Sequence, residues 1–366
     1  SRTMAMQHSD ELPEAANLLF LEVQALGIPS WSAGYNILAD DKKSSMCWMS
    51  SEGHMQSGFK LTFTDSGEPS FAAWLEAIEK GQSFFVQELG GKAIEDHYNF
   101  MRTLPEVGPV LQELEDAGLS LPTYQINHLS FFNGGFLLFI TYEPVPDAHD
   151  IFRRFTKVFE QTYTRFLDLQ KAETQARESQ IELSLERVRA KTMAMHNSND
   201  VGETVAAMFA EFIQLGIYTN RCGILIFNSK ESAEVWTARS NPEGKATLII
   251  GRLDMLAHPL LSSAYEAWKA KESFYQYDLL DNDLKRYYEA INKSAYYQVK
   301  FDINSLPSKE FHSDFFFTDG AVFAFTNDPI EEAHANIFSR FANVFGQTYR
   351  RFLDLQKAEA QAREAK

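Results

Sequence analysis

Apolar residues recur at helical spacing at Leu12, Ala15, Ala16, Leu19, Val23 and Leu26, and the run stops at Gly27. The pattern predicts an amphipathic helix with Ser9 or Asp10 as its N-cap. The same figure returns at Val205, Met208, Phe209, Phe212 and Leu215 before Gly216, where Asp200 and Glu203 are spaced as a capping box. Strand patterns follow each helix. In the first half they are Ala33–Ala39, Ser45–Ser50 and Gly58–Thr64, the last alternating Phe59, Leu61 and Phe63 with Lys60, Thr62 and Thr64. In the second half they are Cys222–Phe227, Glu234–Arg239 and Ala246–Gly251. Each half then predicts a helix (Ser70–Lys80; Pro259–Lys271), a strand (Phe84–Val86; Phe274–Tyr277) and a less regular helical stretch. A hairpin closes each half: Tyr124–Phe132 with Gly135–Tyr142 across Asn133-Gly134, and Glu310–Phe317 with Ala321–Thr326 across Asp319-Gly320. Asn-Gly and Asp-Gly are the dipeptides that supply positive φ in such turns. A proline-containing link then leads into a long helix. This order predicts an α+β fold, an antiparallel sheet with flanking helices, occurring twice.

The duplication is also literal. Val158–Ser179 and Val344–Ala365 differ only at Glu160/Gly346, Thr164/Arg350, Thr174/Ala360 and Ser179/Ala365. The string TMAM occurs at Thr3–Met6 and again at Thr192–Met195. The offset is far too long for a solenoid repeat, so the chain reads as two tandem domains. The expected division is 1–160 and 198–346 for the domains, 161–197 for a helical linker, and 347–366 for the start of a second such helix. Both ends of the sequence fall inside the repeated helical string, which is the expectation for a piece of a longer polypeptide.

No Gly or Pro interrupts His149–Asn197. Phe155, Phe159, Thr162 or Tyr163, Phe166, Leu169, Ala176, Leu183 and Ala190 follow a seam of alternating three and four, with charges around it. The stripe suits a parallel two-chain coiled coil, and so a homodimer joined through its helical linkers. A single helix packed on its own domain is the alternative.

Composition narrows the function classes. The 366 residues carry a net charge of −16, which opposes nucleic acid as a partner. No apolar run is long enough to span a membrane. The two cysteines, Cys47 and Cys222, have no metal-like spacing and suit a reducing cytoplasm. None of the nine histidines shows HExxH or HxH spacing, and no glycine-rich phosphate loop is present. Nothing pairs a nucleophile with a base, so an enzyme is not expected within these residues.

The element order, Phe-Phe-x-x-Gly before the last strand and Phe-x-x-Val-Phe in the closing helix resemble a GAF domain. Leu185–Met195 (LERVRAKTMAM) resembles linkers beside GAF-like sensor domains in bacterial signal-transduction histidine kinases. The resemblance implies a sensing or dimerising module of a two-component system that regulates an output domain outside this sequence. Cyclic-nucleotide-binding members carry an Asn-Lys…Phe…Asp-Glu signature. Asn292-Lys293…Phe301-Asp302 resembles its first part, without its spacing or its final Glu. A ligand pocket is expected between each sheet and the variable helical stretch. Candidate ligand-binding residues are Trp48, His97, Tyr98 and Tyr124 in the first copy. In the second they are Trp236, Tyr265, Tyr287, Tyr288 and Tyr297. No cofactor is indicated, and a spacer that binds nothing is the competing function.

Overall fold

The computed structural model describes residues 12–63, 68–196, 200–240, 246–297 and 299–364. The proposed caps Ser9 and Asp10, the first TMAM string, and Thr64 at the end of its strand lie outside them. The chain forms two compact units, 1–173 and 174–366.

Unit 1 runs α1 (Leu12–Ala25), β1 (Ser30–Leu38), β2 (Ser44–Ser51), β3 (His54–Met55), β4 (Phe59–Thr62), α2 (Pro69–Glu79), β5 (Phe84–Gly90), α3 (Lys92–Thr103), α4 (Val107–Asp116), β6 (Tyr124–Phe132), β7 (Gly135–Thr141) and the start of α5 (His149–Met193). Its antiparallel sheet has the order β3-β2-β1-β7-β6-β5, with β4 also on β2. One face carries α1 and α5, sealed by Phe20, Val23, Tyr35, Phe139 and Phe152. The other carries α2, α3 and α4 around Phe63, Phe71, Trp74 and Leu111. Alternation along the strands sends neighbouring side chains to opposite layers, giving the unit two separate cores.

Unit 2 repeats this plan. Its elements are α6 (Asp200–Gln214), β8 (Arg221–Phe227), β9 (Ser232–Ser240), β10 (Ala246–Asp254), α7 (Pro259–Lys269), β11 (Phe274–Leu280), α8 (Asp281–Lys293), β12 (Lys309–Phe317), β13 (Gly320–Thr326) and α9 (Glu332–Glu364). The order is β10-β9-β8-β13-β12-β11, again antiparallel. Here the helix layer of the first face has three members, because Ile181, Leu185 and Val188 of α5 join α6 and α9. The second face is covered by α7, α8 and the irregular stretch through Tyr297 and Phe301.

The units divide at residue 173/174, inside α5, and the expected linker is largely absorbed into them. Phe166 belongs to the core of unit 1, and Ile181, Leu185 and Val188 to that of unit 2. The second hairpin also differs from expectation. Phe132 pairs with Gly135 around Asn133-Gly134, and Gly134 has φ +102°. Phe317 pairs with Gly320 around Thr318-Asp319, and none of these residues has positive φ. Gly320 is therefore a strand residue equivalent to Gly135. Both lie against the backbone of the next strand, where a Cβ would collide with the carbonyl of Leu225 or Asn36.

Candidate functional site

Each unit encloses a small cavity between its sheet and its second helix layer. The cavity of unit 1 has a volume of about 60 Å³. One water needs roughly 10–15 Å³. Its apolar wall includes Phe71, Trp74, Val110 and Leu111. Its polar wall comes from alternate strand positions: Ser32 and Asn36 of β1, Cys47 and Ser51 of β2, Gln125 and Asn127 of β6.

These polar groups are linked in two chains. Gln56 Nε2 donates to Ser51 Oγ at 2.6 Å, Ser51 Oγ to Ser32 Oγ at 3.0 Å, and Ser32 Oγ to the Ser50 carbonyl at 3.0 Å. Tyr98 Oη donates to Gln125 Oε1 at 2.6 Å, Gln125 Nε2 to Asn127 Oδ1 at 2.9 Å, and Asn127 Nδ2 to Gln87 Oε1 at 3.2 Å. Asn36 Oδ1 accepts from Cys47 Sγ at 2.7 Å and Ser45 Oγ at 3.2 Å. Two donors on the wall have no partner among the described residues: Trp31 Nε1–H and the Asn36 Nδ2 amide, both buried. A buried donor without an acceptor costs about 1–3 kcal/mol. The Cys47 thiol is pushed up to about 12 by burial, so it is a packed hydrogen-bond donor and not a nucleophile.

Above this wall, Glu68 caps α2 by accepting from the Phe71 N–H at 2.9 Å, and its Oε1 lies 3.1 Å from His97 Nδ1 on α3. Burial raises the Glu68 carboxyl, but the hydrogen bonds from His97 and Phe71 outweigh it and hold the group below the usual carboxylate range.

The cavity of unit 2 is about 30 Å³ and is charged where the first is neutral. The Arg221 guanidinium is buried, donates to Tyr288 Oη, sits 3.7 Å from Glu310 Oε1 and lies 3.6 Å over the Phe325 ring. Tyr288 Oη in turn donates to Glu310 Oε2 at 2.5 Å. Burial opposes the charge on Arg221, while Tyr288 and Glu310 more than restore it. His312 lines the cavity with Nε2 at 2.8 Å from Asp314 Oδ2, and His312 Nδ1 and Asp314 Oδ1 have no partner among the described residues. At the helix N-terminus the polarity of unit 1 is inverted. His258 caps α7 by accepting from Leu260 N–H at 3.2 Å, and its Nε2 lies 3.4 Å from Asp283 on α8. Asn292 holds Phe301 by two reciprocal side chain–backbone bonds of 2.8 Å, which fixes that wall of the cavity. This gives the Asn292…Phe301 pair a structural role.

The structure places His97 and Tyr98 on the first cavity, and Tyr287 and Tyr297 on the second. Tyr288 stands behind the second cavity, bonded to Arg221 and Glu310. The other candidates lie elsewhere. Trp48 and Trp236 are equivalent residues on β2 and β9, and strand alternation puts both under the amphipathic helices on the opposite face. There Trp48 stacks on Tyr35 with ring centroids 5.4 Å apart. Tyr124 is a single position from Gln125, which takes the inward place, and its hydroxyl bonds Glu88 at 2.7 Å. Tyr265 packs against Phe227 and Trp268, away from the cavity. The search for aromatic residues passed over the polar residues that define both sites. Their signal was spacing: Gln125 and Asn127, or Glu310, His312 and Asp314, stand two apart inside otherwise apolar strands, which places them on one inward face. Among the described residues no group of His, Cys, Asp or Glu could hold a metal ion, and no helix is long and apolar enough to cross a membrane.

No protein-family model and no curated protein sequence matches the chain. Among solved structures, a GAF sensor protein from Burkholderia vietnamiensis aligns with 48% of this chain and 98% of its own, at 11% identity and a TM-score of 0.28. The bacteriophytochrome RpBphP3 of the photosynthetic bacterium R. palustris aligns with 87% of this chain, at 10% identity and a TM-score of 0.32. The chain spans 59% of that phytochrome's length.

Proposed function

We propose that the chain is a tandem GAF-like sensor module whose first unit binds a small, uncharged, acceptor-bearing ligand. The observation that carries this reading is the pair of buried, unpartnered donors, Trp31 Nε1–H and Asn36 Nδ2, on the wall of a cavity with no unpaired charge. An acceptor oxygen brought within reach of either donor would satisfy it, and the apolar wall would cover the rest of the ligand. In this reading α5 carries the response, because it packs on the sheet of unit 1 at Phe152 and continues into the core of unit 2 at Ile181. A ligand shifts such a system only by its differential affinity for two states. Leu169, Ala176, Leu183 and Ala190 remain exposed at seven-residue spacing along α5, which supports pairing with a second chain as a parallel dimer. The output is a domain of the histidine-kinase type in the cytoplasm, and the module itself performs no catalysis.

Native mass spectrometry of the purified chain tests both parts. The expected result is a dimer with a retained small mass that Trp31→Phe releases while the fold is kept. A monomer at micromolar concentration overturns the dimer. The cavity volumes of about 60 and 30 Å³ favour one competing reading, a spacer with two nearly solid cores. Absence of any retained or added small ligand from the wild-type chain would establish that spacer reading.

A further inference from the structure

The two copies differ most where their helix layers meet solvent. In unit 2 the segment Thr174–Met193 of α5 fills the channel between α6 and α9. Its Ile181, Leu185 and Val188 share a core with Phe212, Leu215, Phe341 and Val344. Its edges are fixed by charge. Arg340 of α9 bonds Glu178 at 2.7 Å and Glu182 at 2.5 Å, Arg187 lies 3.3 Å from Glu211 of α6, and Arg177 donates to the Leu215 carbonyl at 2.6 Å.

Unit 1 keeps the receiving surface, and among the described residues nothing covers it. Leu26 is the equivalent of Leu215, and its exposure is 55% against 2%. Val158 is the equivalent of Val344, at 40% against 8%. Phe155, matching the fully buried Phe341, is only partly buried. Arg154 matches Arg340 and Glu22 matches Glu211, and both are exposed with no ion-pair partner among the described residues. An apolar strip flanked by a cation on one edge and an anion on the other is thus retained on α1 and α5.

We infer that this face of unit 1 is a docking site for one amphipathic helix of the Ile181–Thr192 kind. Its partner has apolar residues at the spacing of Ile181, Leu185 and Val188. Two carboxylates one turn apart meet Arg154, and an arginine on the other edge meets Glu22. The charge pattern is what selects a helix of this chemistry, since it is the pattern already satisfied once within the same chain.

The test uses the full chain and a labelled synthetic peptide of the Thr174–Met193 sequence, followed by fluorescence anisotropy. Saturable 1:1 binding is expected. Leu26→Glu or Val158→Glu in the chain, or Leu185→Glu in the peptide, should weaken it about tenfold or more, equivalent to about 1.4 kcal/mol. Leu183→Glu in the peptide should not, because Leu183 is turned outward in unit 2. Arg154→Glu should weaken binding, and a peptide carrying Glu178→Arg and Glu182→Arg should restore it. The chain substitutions sit at exposed positions, so unchanged circular dichroism is the control for folding. Peptide binding indifferent to all unit 1 substitutions would mean invasion of unit 2 and would overturn the proposal. A dimer broken by Leu26→Glu, with no peptide binding, would overturn it in favour of a second copy as the occupant.

Discussion

The two cavities occupy the same place in the same fold and have opposite chemistry. The sheet registers align Ser32 with Arg221, Asn36 with Leu225, Gln125 with Glu310, Asn127 with His312 and Leu129 with Asp314. Unit 1 closes its polar wall with neutral amides and hydroxyls, and unit 2 with a buried arginine, a carboxylate and a histidine–aspartate pair. The tyrosine is common to both, Tyr98 bonding Gln125 and Tyr288 bonding Glu310. So is the acid–histidine link between neighbouring helices, written as Glu68–His97 in one unit and His258–Asp283 in the other. The comparison teaches that this fold specifies partnership and leaves polarity open. A buried group is tolerated where the facing position supplies its complement.

The largest expected effect separates the charged wall from the neutral one. Glu310→Ala leaves the Arg221 guanidinium buried without its carboxylate, and should cost about 3–5 kcal/mol. Gln125→Ala at the equivalent position strands only the Tyr98 hydroxyl and the Asn127 amide, for about 1–3 kcal/mol. Urea unfolding followed by tryptophan fluorescence resolves the two, since Trp31, Trp48 and Trp74 report unit 1 and Trp236 and Trp268 report unit 2. Equal losses would show that the charge on Arg221 is not held by Glu310.

The helix layers give the next effect. Leu215→Ala opens a hole in a filled three-helix layer and should cost about 2–5 kcal/mol. Leu26→Ala, its exposed equivalent, should stay within about 0.5 kcal/mol in the same measurement. A large loss at Leu26 would mean that the face is already covered in solution.

The last effect is a pH dependence carried by His128 in unit 1. His128 donates through Nε2 to Thr141 at 2.9 Å, because the Thr141 hydroxyl is committed to the Glu143 carbonyl. Burial, and then the neighbouring His149, lower its pKa from 6.5 to about 4. Between these values the unfolded chain takes up a proton that the folded one refuses, so stability rises with pH and is lost on acidification from 6.5 toward 4. The loss should be on the order of 3 kcal/mol. His128→Asn should flatten it, measured as the urea midpoint of unit 1 across that range. Ser313 stands at the equivalent position of unit 2, so its counterpart substitution should leave the slope of that unit unchanged.

Much of the fold is legible in periodicity. The helix ending at Gly27, the alternation through Phe59, Leu61 and Phe63, and the two hairpins all have local causes, and they appear where the pattern places them. The site was half legible. His97, Tyr98, Tyr287 and Tyr297 reach the cavities, whereas Trp48 and Trp236 go to the other face, because an aromatic residue in a strand buries equally well on either side of a sheet that has two cores. The φ of the second turn was not legible either. Asp319-Gly320 looks like Asn133-Gly134, but pairing of Phe317 with Gly320 moves the turn back by one residue.

By itself the sequence determined the duplication, the order of elements and the amphipathic character of the long helix, because repeats and periodicities of 2 and 3.6 are properties of the chain. Only the tertiary structure decided which side of each sheet holds the cavity, that Arg221 meets Glu310 across a sequence separation of 89 (310 − 221), and that one copy of a shared helix face is filled while the other has no cover among the described residues. Those are consequences of strand register and helix packing, which bring distant residues together and leave no mark on the residues between them.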